Sequence, residues 1–233
     1  MKFITNIIFC ISFSVSFGKE NPTYTSYFKD EIIETNNFLE KSASLFNRSS
    51  KKYDHKKKQM IAIVYPELLR YNYLKDFFET SSLELIYVNY GSKAADFSIG
   101  HFQMKPSFIE QIEKYIGKNE ILHKKYKHLI INHAFTPKHK RALRIKRLKN
   151  TAWQLAYLNA FIDVCYLKFP LLKNEPLKKQ IHFLAASYNI GINFTFNTIK
   201  QRSNFKIFPF GTKYNGNQFC YADIASDYFN SKN

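Results

Sequence analysis

Apolar residues return at intervals of three and four along most of this chain, the period of one helix face, and that pattern points to an all-α fold. The run Trp153, Ala156, Tyr157, Ala160, Phe161 and Val164 shows it, and Pro170 ends it. Pro176 opens a further helix through Ile181, Leu184, Ala185 and Tyr188, with Gly191 placed as its C-terminal cap. Pro106 opens another, with Phe108, Ile112, Tyr115 and Ile116 on one face and Gly117 placed to close it. A last helix is expected over Tyr221 to Phe229 and an early one over Tyr27 to Phe46. Only a short run such as Phe205 to Phe210 suggests a strand, and no internal repeat is visible.

The N-terminus is organised as an export leader. Lys2 supplies a positive start, and an uncharged stretch from Phe3 to Gly18 follows, with small residues at Ser14, Ser16 and Gly18. That stretch is short for a membrane span. Residues 1–18 are therefore expected to be a signal peptide, and the chain to be exported to the periplasm or cell envelope. Cys10 has no Leu three positions before it, which argues against lipidation. Beyond the leader, Cys165 and Cys220 fit either one disulfide or two buried thiols.

Residues 19–58 are expected to form an N-terminal helical extension and a basic linker. The linker, Asn47 to Lys58, groups Lys51, Lys52, Lys56, Lys57 and Lys58 on what reads as a solvated surface. The main domain is expected over residues 59–233, and a hydrophobic content of 45% is enough to build its core. A net charge of +17 points to a polyanionic partner: nucleic acid, an anionic membrane or an anionic wall. The leader argues against nucleic acid.

Several chemistries lack their residues. There is no glycine-rich phosphate loop, no HExxH, no paired CxxC and no serine nucleophile elbow. His123, His128 and His133 recur every five residues, a spacing that does not stack ligands on one helix face. No metal and no cofactor are expected. Three short motifs remain, in order. In Ile61-Ala-Ile-Val-Tyr-Pro-Glu-Leu-Leu-Arg-Tyr71 a single carboxylate, Glu67, sits in an apolar helical run, where burial raises a carboxyl pKa. A carboxylic acid protonated near neutral pH suits glycosidic bond cleavage, because the leaving oxygen must receive a proton. The alternative is a Glu that faces solvent or pairs with Arg70. In Ala95 to Pro106, Gly100 allows close backbone approach and Gln103 offers a donor and an acceptor to a sugar amide or hydroxyl. In Ala185 to Gly191, Tyr188 and Asn189 stand at a helix end.

Together the motifs resemble the soluble lytic transglycosylase family of the lysozyme-like superfamily, over roughly Gln59 to Phe229. The loop Gly100-His-Phe-Gln-Met-Lys-Pro106 matches the family's Gly-Leu-Met-Gln-x-Met-Pro pattern at Gly100, Gln103 and Pro106. Ser187-Tyr-Asn-Ile-Gly191 matches its Ala-Tyr-Asn-Ala-Gly segment at Tyr188, Asn189 and Gly191, and Tyr221 corresponds to a late helical tyrosine. Two departures stand out: Leu68, not Ser, follows Glu67, and the interval to Gly100 is longer than usual. Glu79, followed by Thr80, is therefore the rival acid.

The resemblance implies a lysozyme-like helical domain that cleaves peptidoglycan glycan strands between N-acetylmuramic acid and N-acetylglucosamine, leaving 1,6-anhydro ends. Glu67 would be the catalytic residue, and Ser98, Gly100, Gln103, Tyr188, Asn189 and Tyr221 would bind substrate. Hydrolysis, or glycan binding without catalysis by a degenerate domain of the cell envelope, are the alternatives.

Overall fold

The computed structural model describes residues 22–74, 80–131 and 134–231, and over these the fold is all-α. The helices are α1 (Tyr24–Tyr27), α2 (Lys29–Lys41), α3 (Ala43–Tyr53), α4 (Lys57–Leu74), α5 (Ser81–Tyr90) and α6 (Pro106–Lys118). They continue with α7 (Glu120–Tyr126), α8 (Pro137–Leu148), α9 (Thr151–Lys168), α10 (Leu177–Ile190), α11 (Phe196–Arg202) and α12 (Tyr221–Asn230). The one sheet among the described residues pairs β1 (Lys206–Phe208) with β2 (Phe219–Cys220) antiparallel. The expected leader, Glu79 and His133 lie outside the described residues. Among the described residues no helix is long and apolar enough to cross a membrane.

Two helices are enclosed on all sides, and their sequences say why. Every residue of α4 from Gln59 to Leu69 is buried, and so is every residue of α9 from Gln154 to Ile162. A helix apolar all round has no face to offer water and must sit inside. α4 packs against α2, α10 and α12, and α9 against α3, α6, α7 and α8. Each large apolar side chain so enclosed contributes roughly 1.5–3 kcal/mol. Local chemistry sets where these helices start. The Asn150 side chain accepts from the N–H groups of Ala152 (3.0 Å) and Trp153 (3.2 Å) to start α9. Thr136 accepts from His139 N–H, with Pro137 at the first helical position of α8.

The sequence expectations fail at several boundaries. The stretch Asn47 to Lys58 is not a solvated linker: it is helical through Tyr53, and α4 begins at Lys57. Phe46, Ser49 and Tyr53 form a buried stripe beneath the exposed Lys51 and Lys52, so the charge cluster masks an amphipathic helix. Nor is the segment before Gln59 an appendage, because Phe28 and Phe46 are fully buried in the same core as α4 and α9. The early helix is broken at Ser42 into α2 and α3. Gly117 lies within α6, which ends at Lys118, and Asn119 then caps α7 through Leu122 N–H. Cys165 and Cys220 are free buried thiols.

Candidate functional site

A cleft of about 350 Å³ opens where α4, the loop before α6 and the end of α10 meet. Glu67, Ser98, Gln103, Tyr188 and Asn189 all line it, together with Arg70, Asp96, Lys105, Ser107, Phe108 and Gln111. Residues far apart in sequence thus converge on one wall.

Glu67 comes from the middle of α4 and is 3% exposed. The preceding residue, Pro66, has no N–H for Ala62 and interrupts the helical ladder. In the same stretch of helix the carbonyl of Ile63 accepts the Tyr221 hydroxyl at 3.1 Å. Burial pushes the Glu67 carboxyl up to about 6, against the opposing pull of Arg70, Lys105 and Tyr221. Arg70 Nη2 lies 2.6 Å from Glu67 Oε2, one turn along the same helix. The pairing with Arg70 considered from sequence is therefore real, yet it does not offset the desolvation.

The loop from Ile99 to Met104 is a tight reversal closed by paired backbone hydrogen bonds between those two residues, at 3.0 and 3.2 Å. Gly100 (φ 68°) and Gln103 (φ 48°) both adopt left-handed backbone. At Gly100 an added Cβ would stand 2.5 Å from Gln154 Nε2 and 2.6 Å from the Leu148 carbonyl, so only glycine fits. Gln103 has no such excuse; a non-glycine residue there costs on the order of 1–3 kcal/mol. Its Nε2 donates to Gly100 O at 2.9 Å, while its Oε1 is buried without a hydrogen-bond partner. A strained residue with an unpaired buried acceptor in a cleft wall is suited to receive a ligand N–H or O–H.

Two neighbours lock this loop. Gln154 of α9 donates to Ile99 O at 2.8 Å and accepts from Phe102 N–H at 3.4 Å. The Tyr188 hydroxyl donates to Phe102 O at 2.7 Å, and its ring meets Phe108 and Phe161 edge-on. Asp96 caps α6, its two oxygens accepting from Ser107 N–H (3.0 Å) and Ser107 Oγ (2.7 Å). That carboxylate is committed to the cap.

Two expected substrate contacts lie elsewhere. Tyr221 is 3% exposed and is not in the cleft wall; it stands behind Glu67, where its hydroxyl bears on the carboxyl. Gly100 faces α9 and a smaller depression of about 280 Å³ with Tyr71, His101, Glu84 and Lys149, which meets the cleft at Ser98 and Gln103. Gln154, Lys105 and Asp96 were not singled out from sequence. Asp96 had no local signal, because it stands ten residues before the proline that opens α6 and reaches that helix only through the reversal of the chain. Gln154 had none, since it looks like one more residue of an apolar helix.

Compared with protein-family models, curated proteins and solved structures, this chain finds no match.

Proposed function

We propose that this protein is a lytic transglycosylase in a lysozyme-like helical domain, acting on peptidoglycan glycan strands outside the cytoplasm. The observation that carries the reading is a single carboxyl, Glu67, enclosed by apolar helix, open to a cleft and held near pKa 6. An acid with that pKa is half protonated at about pH 6 and can both deliver a proton and take one back.

In this mechanism Glu67 protonates the bridging oxygen as the bond from the muramoyl C1 breaks. The substrate's acetamido group assists the departure, so no enzyme nucleophile is needed. The Glu67 carboxylate then takes the proton of the muramoyl C6 hydroxyl while that oxygen bonds to C1. The product is a 1,6-anhydro sugar, no water is consumed, and Glu67 ends as it began. The second carboxylate of the cleft, Asp96, is held by Ser107, which agrees with a one-acid reaction. Gln103 Oε1 would accept from a sugar amide, Asn189 would contact the glycan at the helix end, and the Arg70 and Lys105 cations would attract an anionic strand.

A second reading, glycan binding without cleavage, draws on the contact between Arg70 and Glu67, because a permanently paired carboxylate donates no proton. Digestion of purified peptidoglycan followed by mass analysis separates the readings. Anhydro-muropeptides support transglycosylation, reducing ends indicate hydrolysis, and binding with no soluble product establishes the non-catalytic role.

A further inference from the structure

Away from the cleft, the fold brings one side chain of α10 to two that stand three residues apart at the start of α12. His182 comes from α10, Cys220 from β2 at the entry to α12, and Asp223 from the first turn of α12. One ligand atom from each lies within 4.8 Å of the others. His182 Nε2 and Asp223 Oδ1 are 3.3 Å apart. Bonds of about 2.0–2.1 Å at tetrahedral angles separate a nitrogen and an oxygen ligand by roughly that distance. We propose that His182, Cys220 and Asp223 form a binding site for a zinc-class divalent transition-metal ion that staples α10 to the start of α12.

The donor set selects the class. An imidazole, a thiolate and a single carboxylate suit zinc and its neighbours and do not suit calcium or magnesium, which prefer all-oxygen shells. Three protein ligands leave a fourth tetrahedral position. A cavity of about 460 Å³ lined by Cys220, Asp223, Asn217 and Gln218 adjoins it, with room for a water or an amide oxygen. The site has an entry path: the Asp223 side chain is 62% exposed and that of His182 27%. Cys220 is buried and unpaired with Cys165, and its Sγ donates to Ser203 O at 2.9 Å, a bond that a metal ion would replace as the thiol gives up its proton. It is the N-cap residue of α12 and Asp223 lies in the first turn of that helix, so one helix start presents both ligands.

The position gives the ion a consequence. α10 carries Tyr188 and Asn189, and Cys220 and Asp223 flank Tyr221, which stands against Glu67. A metal here would pin the two helices that form the rear of the cleft. The inference does not depend on the reaction proposed above, because metal binding is read directly.

The test uses the full chain stripped by a chelator and titrated with cobalt(II). The expected result is a near-ultraviolet thiolate-to-cobalt absorption that saturates at one ion per chain, is displaced by zinc and is lost in Cys220→Ser. Zinc should raise the melting temperature of the parent protein. His182→Ala and Asp223→Asn, both at solvent-accessible positions, should weaken binding by about tenfold or more. No thiolate band in the parent protein, or a band whose affinity is unchanged in both of these variants, overturns the site.

Discussion

Glu67 and Asp163 are carboxylates on the two enclosed helices, and their chemistry runs in opposite directions. Burial is the largest influence on both and raises both. At Asp163 it is overcome: His55 lies 3.1 Å from one oxygen, while Lys125 (2.7 Å) and the Tyr126 hydroxyl (2.6 Å) donate to the other, holding the carboxyl down at about 2. At Glu67 the Arg70 contact, the Lys105 charge and Tyr221 pull the same way and lose, leaving about 6. The difference lies in how fully donors replace the lost water. Two donors on one oxygen and the His55 contact on the other make Asp163 a charged strut between α7, α9 and the turn after α3. Incomplete replacement leaves Glu67 able to change its protonation state.

The largest expected effect is on activity. Glu67→Gln keeps shape but cannot deliver a proton, and general acid–base catalysis contributes about 10²–10⁴-fold. Release of anhydro-muropeptides should fall by at least that much while binding to insoluble peptidoglycan persists. Glu79→Gln is the paired control, and wild-type turnover in Glu67→Gln with loss in Glu79→Gln would transfer the role. Asp163→Asn is the structural counterpart. It removes the charge that His55 and Lys125 face, and since the side chain is 20% exposed the discounted loss is about 1–3 kcal/mol at neutral pH. Because this carboxyl is held below its ordinary value, that stability is present above about pH 4 and fades as pH falls toward 2. Chemical denaturation across that range would show it.

Stability should respond the other way at Glu67. A carboxyl raised from 4.5 to about 6 binds its proton more tightly in the folded state, so stability falls as pH rises through that interval. Above it the penalty amounts to about 2 kcal/mol. Glu67→Gln should therefore be more stable than the parent at pH 7 by up to that amount, as chemical denaturation would show, with the advantage vanishing below pH 4.5. Equal destabilisation by both substitutions would erase the contrast between the sites. The smallest effect is a shift: Arg70→Met removes the cation that holds the Glu67 carboxyl down. The alkaline limb of the pH–activity profile should then move to higher pH. A profile left unmoved would mean that Arg70 does not contact Glu67 during turnover.

Much of the helical content was legible because helix signals are local. Pro106, Pro170, Pro176 and Gly191 stand at helix ends, and the short strand at Lys206–Phe208 falls inside the one run that suggested it. Gly117 misled by one residue, because α6 runs on to Lys118 before Asn119 starts α7. The lysines of residues 51–58 misled because their charge dominates a window in which Phe46, Ser49 and Tyr53 keep helical spacing.

The sequence by itself determined that the chain is mainly helical and where α6, α9, α10 and α12 run, and it singled out Glu67, Gln103, Tyr188 and Asn189 as candidate carriers of chemistry. Short-range periodicity and residue type are sufficient for that. Only the tertiary structure decided that these side chains share a cleft, that Tyr221 stands behind the acid instead of in the cleft wall, and that Gln154 holds the Gly100 loop. Only the fold, too, brings His182 to Cys220 and Asp223. The reason is that desolvation and ligand geometry depend on which helices meet: α10 and α12 pack along their length, and no spacing within either one records that contact.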